Sequence, residues 1–162
     1  MNKAYLLIGG NMGDRLANLE DAKKAITELC GKILIQSTIY ETEAWGFKEQ
    51  PSFYNQALCL ETEKNATDLL HSLLTIELSL GRTRTIYLGP RTIDIDIIYF
   101  NDEIFISENL TIPHQSMTER NFVLTPLTEI APTFIHPVFN KTNSELLHEC
   151  KDTATVYKKI DL

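Results

Sequence analysis

Up to Phe100 the spacing of apolar residues switches back and forth between the period of a strand and that of a helix, and the order of the switches limits the folds open to this chain. Residues 4–8 form a continuous apolar run, ended by Gly9-Gly10, and read as a central buried strand. Asp14 is placed to cap a helix in which Leu19, Ala22, Ile26 and Leu29 recur every three or four positions, and Gly31 is placed to stop it. Ile33, Ile35, Ser37 and Ile39 alternate with other residues and predict a strand over 32–41, after which residues 42–52 break both periods and predict a loop. A third strand is expected over 53–62, with Tyr54, Leu58 and Leu60 towards one face and Phe53, Asn55 and Ala57 towards the other. Asn65 and Asp68 open a second helix striped by Leu69, Leu73, Ile76 and Leu80 and ended by Gly81. A polar, basic loop and a strand over 92–100 follow. The order β-α-β-β-α-β predicts an α+β fold with a ferredoxin-like βαββαβ core: an antiparallel sheet with helices packed on it. Residues beyond Phe100 predict C-terminal additions: a hairpin turn at Asn101-Asp102-Glu103, a capping box from Ser116 to Glu119 opening a short helix, later helices kept short by Pro126 and Pro132, and a helix over 144–150. Gly9, Gly10 and Gly13 miss the G-x-G-x-x-G spacing and predict a tight turn.

The length of 162 residues argues for a single domain over 1–162, with a core that needs no staples. A net charge of -7 argues against broad nucleic-acid or anionic-membrane binding. Three cysteines, an odd number with no C-x-x-C, predict reduced thiols. The first apolar run is too short to span a membrane and lacks the architecture of a signal peptide. The expectation is a cytoplasmic monomer with small-molecule partners.

The strand over 92–100 carries two carboxylates, Asp94 and Asp96, among Ile93, Ile95, Ile97 and Ile98. Strand residues two apart share a face and lie ~6–7 Å apart, so both aspartates point one way while Ile93, Ile95 and Ile97 pack the other. Such a pair suits Mg²⁺, a hard cation that completes its shell with water and substrate phosphates. Spacing alone suits a half-exposed edge strand with solvated charges better. Arg82, Arg84 and Arg91 precede the pair, and His114 and Arg120 follow it. A cationic rim around paired carboxylates is what a metal-bound polyphosphate requires, although each cation singly also suits a solvated loop or a core histidine. No G-x-x-x-x-G-K-[ST] occurs, which excludes a Walker-type phosphate loop. Trp45, Phe53 and Phe122 could stack a flat heterocycle or fill core.

The stretches "GPRTIDIDIIYF" and "LTIPHQSMTERNFVLTPLTEIAP", with "IGGNMGDR", "YETEAWG", "QPSFYNQAL" and "ELSLGRTR" in order before them, resemble 6-hydroxymethyl-7,8-dihydropterin pyrophosphokinases of folate biosynthesis. The resemblance covers about residues 5–135. It implies transfer of the β,γ-pyrophosphoryl group of ATP to the hydroxymethyl group of the pterin, with release of AMP and use of two Mg²⁺ ions. On this chain it implies Asp94 and Asp96 as metal ligands, and Arg82 and Arg91 as the residues that brace the transition state. Leu70, Glu77, Arg84, Ile98, Thr111, His114 and Arg120 fall to the nucleotide, and Thr42, Trp45, Phe53, Asn55, Asp94 and Phe122 to the pterin. The chain departs from the family pattern at Glu43, Ala44, Leu88, Asn109 and Gln115. Two other readings remain: a Mg²⁺-dependent nucleotidyltransferase, which would share the aspartate strand but release pyrophosphate, and a non-catalytic ferredoxin-like binding module, which would have no reason to keep a carboxylate pair facing arginines.

Overall fold

A single strand organises the sheet. In the computed structural model, which describes residues 1–43, 50–81 and 92–158, β1 (Asn2–Gly10) pairs antiparallel on one side with β4 (Phe53–Thr62) and on the other with β5 (Asp94–Phe100). Leu6 and Ile8, from the apolar run, are wholly buried. Beyond β4 lie β2 (Lys32–Gln36) and β3 (Tyr40–Thr42), both antiparallel to it. With α1 (Arg15–Leu29) joining β1 to β2 and α2 (Ala66–Ser79) joining β4 to β5, the order β5-β1-β4-β2 is the split βαβ arrangement expected from the periodicity. Asp14 caps α1 by accepting from the Ala17 N–H at 3.1 Å, and Asn65 caps α2 by accepting from Asp68 at 2.8 Å.

The sheet has a core on each face. On one, Leu19 and Ile26 of α1 and Leu69, Leu73 and Ile76 of α2 meet Leu6, Ile8, Leu58, Leu60, Ile95 and Ile97. Leu29, in phase with that stripe, lies in the last turn of α1 and is 53% exposed. On the other face, Leu7, Ala57, Ile98 and Tyr99 are covered by Val123, Leu124 and Leu127 of α3 (Asn121–Ile130) and Leu146 of α4 (Asn143–Glu149). β6 (Phe105–Ile106) and β7 (Thr111–Ile112) form a separate two-stranded ribbon whose Ile112 and Phe105 join the first core, and β8 (Val156–Lys158) returns to pair with β3. No helix among the described residues is long and apolar enough to cross a membrane. All three cysteines are free thiols.

Several expectations are corrected. The strand over 32–41 is two strands, because the regular ladder is interrupted at the buried Ser37. Its N–H still donates to the Ala57 carbonyl at 2.9 Å, but its hydroxyl, which donates to the Thr38 carbonyl at 2.7 Å, accepts from the Ala57 N–H at 2.9 Å in place of its own carbonyl. Gly9 and Gly10 belong to β1, and only Gly13, at φ +65°, makes a turn. Ser116 makes no capping box. Met117–Glu119 is one 3₁₀ turn without a side-chain cap, and the Ser116 N–H is taken by His114 Nδ1 at 3.2 Å. The capping box forms instead between Thr142 and Glu145 at the start of α4. The later helices are short, α3 at 10 residues and α4 at 7, but Pro126 lies inside α3 and does not end it.

Under the second core, His136 is 3% exposed and its Nδ1 accepts from the N–H groups of Val138 and Phe139, both at 3.1 Å. That arrangement requires the neutral ring, and burial holds its pKa below the ordinary histidine value. A depressed folded value means that the contribution is complete above the unfolded-state pKa of about 6.5 and is lost as pH falls below it towards the folded value. Denaturant midpoints should therefore fall as the pH is lowered from about 7.5 to 5, and fall less in His136→Gln. Parallel curves for the two proteins would remove His136 from the account.

Candidate active site

The two aspartates sit where the second core stops. On β5, Asp94, Asp96 and Ile98 share a face, and the register opposes Asp94 to Gly9 and Asp96 to Leu7 of β1. β4 continues the same rows, with Asn55 opposite Gly9 and Ala57 opposite Leu7. The inner row Ala57-Leu7-Asp96 borders the core, and the outer row Asn55-Gly9-Asp94 has a glycine in its middle. That glycine turns the centre of the floor into bare backbone. Asn55 leans over it: a Cβ built on Gly9 would lie 2.1 Å from Asn55 Oδ1 and 2.7 Å from the Tyr54 carbonyl oxygen.

Glu77 fixes β5 from its other edge. This carboxylate, 4% exposed, accepts from the Ile95 N–H at 2.7 Å. A strand at the border of a sheet would otherwise leave that donor unpaired, and a buried unpaired amide costs about 1–3 kcal/mol. The bond ties α2 to the residue between the two aspartates.

Two cavities meet at the carboxylates. The smaller pocket lies over the outer row, with Phe53 and Phe122 on its sides and Thr42 and Asn55 at its polar edge. Thr42 Oγ1 is buried there without a hydrogen-bond partner. A polar ligand edge would relieve that cost. The wider groove runs between α2 and the segment from β7 to Ser116, lined by Leu70, Leu74, Glu77, Thr111 and His114. Among the described residues, Asp94, Asp96 and Arg120 alone line both. Arg120 stands in extended backbone just before α3, its guanidinium 5.8 Å from the centre of the Phe122 ring. A larger hollow between α1 and β2 holds neither aspartate nor either phenylalanine.

His114 differs from the sequence reading, which grouped it with the cations. Its Nδ1 accepts from Ser116, so the proton is on Nε2. Burial lowers its pKa, Arg120 lowers it further, and Asp94 opposes them. His114 thus offers the groove a neutral donor at neutral pH. For metal, the described residues gather no cluster of three or more His, Cys, Asp or Glu. Two carboxylates on one face nevertheless fit Mg²⁺, which takes one or two protein carboxylates and fills its shell with water and phosphate oxygens.

Most of the sequence-predicted residues converge. Asp94, Thr42, Phe53, Asn55 and Phe122 share the pocket, and Leu70, Glu77, Thr111, His114 and Arg120 share the groove. The Ile98 side chain is not brought there: it is buried in the second core, and its carbonyl accepts from the His114 N–H at 3.0 Å. Trp45, Arg82, Arg84 and Arg91 lie outside the described residues. Sequence reasoning missed Gly9 and Arg15. The Arg15 guanidinium stacks 3.8 Å from the centre of the Tyr54 ring and donates to the Ser52 carbonyl and hydroxyl at 2.9 Å, steadying the entry to β4. The sequence signal for both was the run "IGGNMGDR".

The model of the 7,8-dihydro-6-hydroxymethylpterin-pyrophosphokinase family matches residues 5–132. Folic acid synthesis protein FOL1 of Dictyostelium discoideum is 44% identical over 147 residues, which are 90% of this chain but 22% of that protein. The chain therefore spans about a fifth of the length of that relative. The 2-amino-4-hydroxy-6-hydroxymethyldihydropteridine pyrophosphokinase of Aquifex aeolicus is 37% identical over 149 residues, 92% of each chain. The protein of the same name from Methylorubrum extorquens is 40% identical over 83% of this chain and 86% of its own. Among solved structures, Plasmodium falciparum HPPK-DHPS crystallised with pteroate superposes with a TM-score of 0.75 at 18% identity, over 91% of this chain and 42% of that one. That likeness shows a shared fold.

If Gly9 makes room for Asn55, Gly9→Ala should drive the two apart and destabilise the fold by about 1–3 kcal/mol, the range for overpacking. A thermal melt indistinguishable from that of the unsubstituted protein would show that the row has space to spare.

Proposed function

The chain belongs to the 7,8-dihydro-6-hydroxymethylpterin-pyrophosphokinase family, and from that premise we propose that it transfers the β,γ-pyrophosphoryl group of ATP to 6-hydroxymethyl-7,8-dihydropterin. The observation that carries the reading is the junction: Asp94, Asp96 and Arg120 border both a small pocket flanked by Phe53 and Phe122 and an open groove. A transfer between two substrates requires their reacting atoms to meet at one point within reach of groups that stabilise charge.

In this reading the pterin ring lies between Phe53 and Phe122, and Asn55 and the unpaired Thr42 hydroxyl hydrogen-bond its polar edge. The triphosphate runs along the groove, where His114 donates from Nε2 and Arg120 faces the transferred group. Leu70, Glu77 and Thr111 flank the nucleotide. Arg82, Arg84 and Arg91, outside the described residues, supply further cations, with Arg82 and Arg91 bracing developing charge. Asp94 and Asp96 would hold two Mg²⁺ ions, whose chemistry is to neutralise phosphate charge and align the triphosphate. The hydroxymethyl oxygen bonds to the β-phosphorus and releases its proton as the bond from that phosphorus to the α,β-bridging oxygen breaks, and AMP leaves. In this reading the chain acts as a monomer.

The test is AMP formation from ATP and the hydroxymethyl pterin. Asp96→Asn keeps the shape of the side chain and removes one of two neighbouring like charges. Turnover should fall by more than about tenfold, a barrier change above ~1.4 kcal/mol. The melting temperature in EDTA should stay level or rise slightly, because functional carboxylates are held against stability. Pyrophosphate released in place of AMP would reassign the chain as a nucleotidyltransferase, and near-normal turnover of the variant would dismiss the aspartates from the chemistry. Phe122→Ala should weaken pterin binding by about 0.5–1.5 kcal/mol beyond the lost contact area while ATP binding changes much less. Calorimetry that finds equal losses for the two ligands would count against the ring sandwich.

A further inference from the structure

Helix α3 begins in an unusual way. Its cap position is Arg120, which has no side-chain acceptor to offer and makes no capping bond. The first N–H of the helix, on Asn121, is instead accepted at 3.1 Å by Oδ2 of Asp152, thirty-one positions later in the chain. The other carboxylate oxygen accepts from the Ala154 N–H at 2.9 Å, so the turn after Asp152 fixes the acid in place. The Asn121 side chain reaches back to donate to the carbonyls of Asp152, at 3.4 Å, and Ala154, at 2.5 Å. From there the chain runs directly into β8, where Val156 pairs with Thr42, Tyr157 with Glu41 and Lys158 with Tyr40.

The two ends of this short segment reach two parts of the smaller pocket's lining. At one end, Arg120 and Phe122 flank the capped Asn121 and line the pocket. At the other, Thr42 lines the same pocket with its orphan hydroxyl. We propose that Asp152 is a positioning residue for the pterin: its carboxylate caps α3 from outside the helix, and the segment Asp152–Lys158 straps the Arg120–Phe122 wall to the Thr42 wall. Its role in recognition rests on the pyrophosphokinase reading above. A carboxylate at a helix N-terminus satisfies an open donor and opposes the positive end of the helix dipole. Here that cap also holds the two side chains on either side of the capped residue. An uncapped first turn frays, and a frayed turn would let Phe122 drift from the ring it stacks on.

Full-length Asp152→Ala and Asp152→Asn decide the matter. Removing a cap shifts the opening equilibrium of the first turn by about fivefold, so amide exchange over residues 121–124 should quicken by about that factor in Asp152→Ala. The KM for the hydroxymethyl pterin should rise by a similar factor of about five, with kcat within about twofold, because binding common to the ground and transition states is what the wall supplies. The KM for ATP should move less. Asp152→Asn keeps one acceptor oxygen but turns an amide NH₂ towards one of the two backbone N–H groups, and should recover part of both effects. A lower melting temperature with an unchanged pterin KM would make Asp152 a merely structural residue and overturn the proposal, as would unchanged exchange at 121–124. If the unsubstituted protein releases no AMP, the pyrophosphokinase reading fails by itself. The strap is then judged on exchange alone, and unchanged exchange again overturns it.

Discussion

The hydrogen bond from the Ile95 N–H to Glu77 is the contact on which the site depends. β5 lies at the border of the sheet, bonded to β1 on one side. On the other side a buried carboxylate of α2 does what a further strand would do, and the capped residue is the one between Asp94 and Asp96. This lets a border strand carry two acids on one face without slipping. A slip of one residue would turn both carboxylates into the core packed under α1 and α2, and Ile95 out of it. The same residue, Glu77, lines the groove. One side chain thus links the register of the sheet to the wall of the larger cavity.

Period two builds the pocket. Along each of β1, β4 and β5, alternate residues run from the second core into the site: Leu7 to Gly9, Ala57 to Asn55 and then Phe53, Ile98 to Asp96 and then Asp94. Apolar members lie under α3, and beyond its first turn the side chains are polar or absent apart from Phe53. The site is therefore the uncovered end of a core. Helix α3 both closes that core and, at its first residues, supplies the arginine and phenylalanine of the pocket. The packing that stabilises this layer is also what aims the functional side chains.

The parts of the fold that were legible in the sequence are those with local signals. Caps at Asp14 and Asn65, the helical stripes and the alternation along 53–62 each record a nearby structure, and together they give the order of the core. The failures share a cause. Ser116-x-x-Glu119 and Thr142-x-x-Glu145 are the same pattern, yet only the second is a capping box, because the His114 ring takes the Ser116 amide. Ser37 splits a strand through bonds to Ala57, twenty positions away. The return of β8 to β3 and the capping of α3 by Asp152 join distant parts of the chain and leave no periodic trace. Asp94 and Asp96 were visible because carboxylates are out of place in an apolar strand. Gly9 was not, because a glycine after a strand also reads as a turn.

Charge sets the last constraint on the site. The groove is lined by the carboxylates of Glu77, Asp94, Asp96 and Glu108, and among its described residues Arg120 is the matching cation. His114 does not add a second, since burial and Arg120 both favour its neutral form. Walls of this sign repel a triphosphate: two unit charges 4 Å apart near a protein surface interact by about 4 kcal/mol. If ATP is the donor, cations must arrive with it or from elsewhere in the chain. In the proposed reading divalent metal does the first, and the paired carboxylates would be its ligands. Arg82, Arg84 and Arg91 are the nearest arginines in sequence for the second. Acidic walls of this kind favour the metal-bound nucleotide over the free one. In the proposed reading, carboxylates that disfavour free phosphate favour phosphate that carries its own counter-charge.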